Sequence, residues 1–300
     1  MSDIIIGDEH LDKVRKVTYG NADIWNNKPF EITKSIIDFE KPTRIIFLGD
    51  IFDKYKPDSL STVKFISMIK DIDTYIIEGN HDRPKMNQPY CFEELDTLSN
   101  ITIIKRNTIS NFAPKFYGIG WCDTQEIFVS KLELLLDEIE EESILCLHCN
   151  HSDWRNEMDN YIPENIINQF SALNVTIFAG HDHSHFAIKN FISLGSVIPN
   201  NIGEIGEKKY WSSKTGLVTI DTKVGNSLKD DVILLRKEPF DIDPNKAYYI
   251  KTKNAIEQDD LKLEEKNLHI DILEDFTTEA IKAGFDLEYV NKHLGGTDDN

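Results

Sequence analysis

Residues 44–53 read RIIFLGDIFD. Five residues, four of them aliphatic or aromatic, run straight into a glycine and two aspartates three positions apart. The first half reads as a β-strand and the second as a turn that leaves acidic side chains at the strand's end. The same device recurs. DIII (3–6) runs into GDEH (7–10), TYIIE (74–78) into GNHD (79–82), SILCLH (143–148) into LHC (147–149), and VTIFA (175–179) into GHDH (180–183).

Further strands are expected at ITIIK (101–105), KFYGIG (115–120), NFISL (190–194), GLVTI (216–220) and DVILLR (231–236). Helical periodicity falls at about 28–39, 58–71, 123–141 and 163–172, with Asp58 or Ser59 placed to cap the second. In the third, Ile127, Phe128, Lys131, Leu132, Leu135 and Ile139 recur at three- and four-residue intervals. Strands alternating with helices predict an α/β fold with packed sheets. After residue 222 the pattern changes: KEPFDIDPN (237–245) reads as a linker, followed by strands at AYYIKT and LHIDIL and a helix near 277–293. The division expected is a main domain over 1–222 and a small α+β appendage over 223–300.

Three hundred residues suffice for a substantial core, and the apolar content is that of a folded chain. No apolar run reaches the roughly 18–20 residues that cross a bilayer, and MSDIIIGDEH carries acids where a signal peptide is basic. A soluble cytoplasmic protein without membrane association is expected. Four cysteines are too few for a disulfide scaffold, and Cys91 and Cys122 stand alone, which weakens a structural zinc site. The formal charge of −19 is the reverse of the basic surface on which unaided nucleic-acid binding depends.

Taken singly, each strand-end motif is explained by ordinary turn chemistry. Five of them in one chain, at the edge where an α/β protein builds its site, are not. Asp8, His10, Asp50, Asn80, His148, His181 and His183 offer carboxylate and amide oxygen and imidazole nitrogen. That mixture suits Mn²⁺, Fe²⁺ or Zn²⁺ better than Mg²⁺ or Ca²⁺. Seven ligands exceed the needs of one catalytic ion and fit two, with a carboxylate such as Asp50 suited to bridging them. An extended backbone would point Asp8 and His10 to one side, and likewise His181 and His183.

The order D-x-H, G-D-x-x-D, G-N-H-D, H, G-H-x-H resembles the calcineurin-like metallophosphoesterase superfamily over roughly two-thirds of the chain. The resemblance implies a four-layer sandwich of two mixed β-sheets flanked by helices. It implies that Asp8, His10, Asp50 and His183 hold one ion, and Asp50, Asn80, His148 and His181 the other. His81 would contact the scissile phosphate or protonate the leaving oxygen, oriented by Asp82 or another carboxylate.

Within the superfamily the chain is most similar to the SbcD-type DNA repair nucleases, in the compact form that phages encode. Lys54 and Asp82 stand where protein phosphatases typically carry arginine and glutamate. ISLGSVIPNNIGEIGEKKYW (192–211) resembles an SbcD segment through Gly195, Ser196, Ile198, Pro199, Glu204, Gly206, Lys208 and Lys209. This branch implies two divalent ions, manganese foremost, and DNA as substrate. It also implies an SbcC-like coiled-coil ATPase subunit and a homodimer as partners. Arg83, Ser196, Lys208 and Lys209 are expected to bind substrate, and Arg15, Lys16, Lys54, Lys56 and Lys85 are further candidates for phosphate contact. A stand-alone hydrolase of a small phosphoester is the alternative, which the acidic balance favours; a non-catalytic scaffold is a third. His151 and His185, just beyond their motifs, are expected to face substrate or solvent. Cys146 and Cys149 point oppositely along a strand, so no disulfide is expected between them.

Overall fold

The computed structural model describes residues 2–15, 19–20, 22–82, 92, 95–154, 159–200, 204, 207–220, 232–235 and 247–250. The chain divides into two compact units. One comprises Met1–Val14 and Asn26–Ser227, the other Arg15–Trp25 and Leu228–Asn300.

The larger unit holds two six-stranded sheets. In the first, β1 (Asp3–Ile6), β3 (Arg44–Phe47), β4 (Asp73–Ile77) and β5 (Ile101–Ile104) are parallel neighbours. The hairpin of β14 (Lys209–Ser212) and β15 (Gly216–Thr219) adds antiparallel to β1. In the second, β7 (Phe116–Ile119), β8 (Ile144–His148), β11 (Thr176–Gly180) and β13 (Phe191–Ser193) are parallel. Antiparallel β6 (Ile109–Ala113) and β12 (Phe186–Ile188) form its edges. The short strands β9 (Asn150–His151) and β10 (Tyr161–Ile162) pair beside it.

Side-chain alternation along the strands makes the layers. Ile5, Ile46, Leu48, Ile77 and Ile104 of the first sheet meet Phe116, Cys146, Phe178 and Leu194 of the second in one buried cluster. The opposite face of the second sheet, with Leu145, Leu147 and Ile177, packs on Phe128, Leu132 and Leu135 of α3 (Gln125–Leu136) and on Ile166, Ile167 and Phe170 of α4 (Glu164–Ala172). On the outer face of the first sheet Phe47 meets Phe65 of α2 (Ser59–Ile69), ring centroids 5.4 Å apart. Tyr210 of β14 donates to Glu40 at the end of α1 (Ala22–Glu40). The expected order of helix, sheet, sheet and helix is therefore present. In the smaller unit β16 (Val232–Leu235) runs parallel to β17 (Ala247–Ile250), which pairs antiparallel with β2 (Tyr19–Gly20). The expected boundary at 222, the linker 237–245, the strand LHIDIL and the last helix lie outside the described residues.

Several expectations shift at their edges. Helix α1 starts well before residue 28 and runs through Pro29, a residue that from sequence reads as a helix boundary because it lacks an N–H donor. Helix α3 stops at Leu136, short of residue 141. Asp137, Glu138 and Glu140–Glu142 follow, and negative charge is unfavourable at the C-terminal end of the helix dipole. Strands β6 and β12 were not expected, since edge positions are half-buried and carry no apolar run. Asp58 caps α2, its carboxylate accepting the Ser61 N–H at 2.9 Å.

Phe178 lies at the centre of the inter-sheet layer with its ring 5.5 Å from that of Trp211. Phe178→Ala should lower the unfolding free energy by about 3–5 kcal/mol in chemical denaturation. Leu60→Ala, on the exposed side of α2, should stay within about 0.5 kcal/mol.

Candidate metal centre

The motif residues gather where β1, β3, β4, β8 and β11 end, on the edge that the two sheets share. Two hydrogen bonds latch the sheets there. Asp8 accepts the His181 N–H at 2.9 Å, and His148 donates from Nδ1 to the Leu48 carbonyl at 2.7 Å. The loops approach so closely that a Cβ on Gly49, whose φ is +100°, would come within 2.5 Å of the His148 ring, and one on Gly79 would strike the Asp50 carboxylate.

Convergence does not come from an extended backbone, as the spacing of Asp8 and His10 implied. His10, Asp50 and His181 all have positive φ, at 46°, 50° and 85°. This is a sparsely populated region for residues other than glycine, although Asp and His enter it more readily than most. The Asp50 carbonyl holds the first turn by accepting the N–H groups of Glu9 and His10, at 3.2 and 2.9 Å.

All seven predicted ligands belong to this cluster. Asn80 Oδ1 lies 2.9 Å from His148 Nε2 and 3.1 Å from His181 Nδ1. His10 Nε2 and His183 Nε2 are 3.0 Å apart. Asp50 reaches both pairs: one carboxylate oxygen is 3.5 Å from His148 Nε2, the other 3.8 Å from His10 Nε2. That two-sided placement is what a bridging carboxylate needs.

Three of the histidines are anchored through the ring nitrogen opposite the one that meets a neighbouring motif side chain. His148 uses Nδ1 on the Leu48 carbonyl, His181 uses Nε2 on Asp159 at 3.3 Å, and His183 uses Nδ1 on Glu204 at 2.9 Å. An acceptor at the outer nitrogen fixes the proton there and leaves the inner nitrogen with a lone pair, the arrangement of imidazoles that bind metal. Trp121 packs against two of these rings, 5.8 Å from His148 and 5.4 Å from His181.

The electrostatics favour cations. Asp8, Asp50 and Asp82 are all buried. Burial pushes the Asp8 and Asp82 carboxyls well above the usual carboxylate range, and the charge of Asp50 adds to both shifts. Burial acts on Asp50 too, but the attraction of His148, His10 and His81 outweighs it and holds its carboxyl down. His148 is pushed down to about 4 by burial and so stays neutral at physiological pH. Two groups, Asp8 with Asp50 and His148, and His10 with Asp53 and His81, bring donor atoms within 4.8 Å of one another. Neutral imidazoles beside costly buried carboxylates fit a pair of divalent ions.

His81 stands at the rim, with 41 % of its side chain exposed. Its Nδ1 donates to the Asp53 carbonyl at 2.8 Å, so a backbone carbonyl holds the orientation for which a carboxylate was expected. Asp82 lies beneath the loops and accepts the N–H groups of Asp50 and Gly79, at 2.7 and 3.0 Å. Asp53 is the residue whose part the motif reading missed, although it closes GDIFD. Its carboxylate lies 3.4 Å from His10 Nδ1 and 2.9 Å from Lys13 Nζ, and its N–H is held by Asp12 at 2.5 Å. Glu204 had been marked by resemblance but given no role, and Asp159 carries no sequence signal.

The expected substrate contacts fare differently. Ser196 and Lys208 are buried, and both contact the GHDH loop. Lys208 Nζ donates to the His183 carbonyl at 2.8 Å and to Ser196 Oγ at 3.1 Å, and the Ser196 N–H donates to the same carbonyl at 3.2 Å. Lys209 is half-buried and pairs with Glu207 at 3.0 Å. Arg83, Lys16 and Lys85 lie outside the described residues. Arg15 is buried, while Lys54 and Lys56 are exposed.

His151 is neither a ligand nor solvated. It is buried against Phe191, ring centroids 5.2 Å apart, and its Nδ1 accepts the Asp153 N–H. His185 is half-buried and donates to the Ser193 carbonyl at 2.7 Å. Cys146 lies between the sheets and Cys149 on the helix side, and both are free thiols that burial pushes up.

Residues 3–185 match the family model described as calcineurin-like phosphoesterase. Among solved structures, TT1561 of Thermus thermophilus is similar over 74% of this chain and 98% of that one, at 12% identity and a TM-score of 0.46. The Pseudomonas putida nuclease MPE is similar over 62% and 63%, at 13% identity and a TM-score of 0.31. No curated protein matches the chain. Among the described residues no helix is long and apolar enough to cross a membrane.

A carboxyl whose folded pKa stands above its unfolded value takes stability from the fold as the pH climbs from about 4 through the folded value. Asp8 and Asp82 therefore destabilise the metal-free protein at neutral pH, and a bound cation offsets that cost. The gain in melting temperature from excess Mn²⁺ over EDTA should be larger at pH 8 than at pH 5. Equal gains in the two buffers would contradict the assignment of Asp8 to a cation site.

Proposed function

Because the chain belongs to the calcineurin-like phosphoesterase family, a family of metal-dependent phosphoester hydrolases, we propose that it hydrolyses DNA phosphodiesters at a two-metal centre. In this reading it is the nuclease subunit of an SbcCD-like complex for processing double-strand breaks, with an SbcC-like coiled-coil ATPase as partner, a second copy of the chain as dimer mate and manganese as the working metal. The observation that carries the proposal is the half-exposed His81 beside the buried ligand cluster, with exposed Lys54 and Lys56 on the loop that anchors it.

Asp8, His10, Asp50 and His183 would hold one ion, and Asp50, Asn80, His148 and His181 the other. When bound, divalent ions supply Lewis acidity that neutralises phosphate oxygens and activates water. The chain's own residues do the rest. Asp53 keeps the proton of His81 on Nδ1 while that ring is neutral, so the outward Nε2 is the atom that gains and gives a proton. Protonated there, His81 can hydrogen-bond a phosphate oxygen or pass the proton to the leaving 3′ or 5′ oxygen. Lys54 and Lys56, exposed on the loop whose Asp53 carbonyl holds His81, would supply positive charge to a polyanionic strand crossing the rim.

A second reading, hydrolysis of a small phosphoester, is favoured by the net charge of −19. Turnover of duplex DNA, single-stranded DNA and bis(p-nitrophenyl) phosphate with Mn²⁺ or Mg²⁺ separates the two. His81→Ala should lower kcat by about 10²–10⁴ at unchanged metal content, and Asp50→Ala should abolish activity together with metal binding. The double variant Lys54→Ala/Lys56→Ala should raise KM for DNA and leave the small ester unaffected. Fast turnover of the small ester with none of DNA would decide for the second reading. Absence of cleavage with any divalent ion, with or without an ATPase partner, would refute both.

A further inference from the structure

The segment 192–211 carries the likeness to DNA repair nucleases, yet its Ser196, Glu204 and Lys208 turn inward. Four of its contacts end on one residue, His183. Glu204 accepts a hydrogen bond from His183 Nδ1 at 2.9 Å, Lys208 Nζ reaches the His183 carbonyl at 2.8 Å, and the Ser196 N–H and Oγ lie 3.2 and 3.4 Å from the same oxygen. Lys208 is itself fixed by Ser196 Oγ at 3.1 Å, and Ser196 Oγ donates to the Ile198 carbonyl at 2.6 Å. Glu204 is not a loose surface acid. Its side chain is 12 % exposed, and its second oxygen accepts the Asn200 N–H at 2.7 Å. Both oxygens are thus committed, one to the segment's own backbone and one to the ring.

The three anchored histidines are not anchored alike. His148 rests on a neutral backbone carbonyl and His181 on the Asp159 carboxylate at 3.3 Å, whereas Glu204 sets a carboxylate oxygen closer still, 2.9 Å from His183 Nδ1. A carboxylate at the outer nitrogen fixes the ring's rotation and its tautomer, and makes the inner nitrogen a stronger donor to a cation. The inner nitrogen of His183 stands 3.0 Å from that of His10.

We propose that Glu204 is a positioning residue for the metal centre: it orients His183 and strengthens it as a ligand for the ion shared with His10, and Ser196 and Lys208 help to hold that pair in place. The inference rests on the two-metal reading of the centre. It assigns Ser196 and Lys208 to the support of this loop, so the segment serves ion binding before it serves any substrate.

The test is Mn²⁺ binding to the purified full-length chain, by calorimetry and by electron paramagnetic resonance, with the wild type compared with Glu204→Ala and Glu204→Gln. The wild type should bind two ions. Glu204→Ala should bind one of them about 10–100-fold more weakly and leave the other within about twofold. Glu204→Gln should fall between, because its amide oxygen can still accept the imidazole proton while the charge is lost. A purely structural role would lower the melting temperature in EDTA and weaken both ions together. Two ions bound to Glu204→Ala as tightly as to the wild type would overturn the proposal, as would equal weakening of both. If Glu204→Ala does not fold, Glu204→Gln decides by the same criterion. A wild-type chain that binds no Mn²⁺ would overturn the two-metal reading itself, and the proposal with it.

Discussion

Buried carboxylates repel one another, and the cost grows as water is excluded. The larger unit of this protein places Asp8, Asp50 and Asp82 in its interior, where desolvation and mutual repulsion push two of the three well above their ordinary range. Backbone N–H groups offset part of that cost: those of His181 on Asp8, of Asp50 and Gly79 on Asp82, and of His81 on Asp50. Apart from that of Gly79, which lies in the same loop as Asp82, these bonds run between loops that follow different strands, so the means of satisfying the acids are also the means of locking the loops. The remainder would be offset by cations, whose coordination the converging imidazole nitrogens would complete.

The two sheets matter because neither could complete the centre alone. The first contributes Asp8, His10, Asp50 and Asn80 from the ends of β1, β3 and β4. The second contributes His148, His181 and His183 from the ends of β8 and β11. The inter-sheet layer around Phe178, Cys146 and Ile46 sets the spacing, and the bonds from Asp8 to His181 and from His148 to Leu48 fix the join. A change in core volume that shifted one sheet against the other by an ångström would therefore be felt at the ligands before it was felt in the overall fold.

Several histidines that look equivalent in the sequence have separate fates here. His148 and His151 are three residues apart, yet one is a neutral ligand candidate and the other packs against aromatic rings. His183 and His185 divide in the same way: one is held by Glu204 and the other by a strand carbonyl. In both pairs the chain turns after the strand ends, and only the residue at the turn faces the shared edge of the sheets.

The sequence by itself determined the alternation of strands and helices and the motif residues that end the strands at the shared edge. All of these follow from local rules: apolar runs, helical period, and glycine with acid or imidazole at a strand end. It could not determine how the ligands converge, because positive φ at His10, Asp50 and His181 is imposed by contacts from distant loops. Nor could it determine which groups stand behind the ligands. Asp159 lies 22 residues from the histidine it anchors and Glu204 lies 21, Asp53 works partly through its backbone carbonyl, and Lys208, which as a surface lysine would have faced phosphate, is turned inward. Those assignments depend on which loops meet at the sheet edge, and tertiary packing alone decides that.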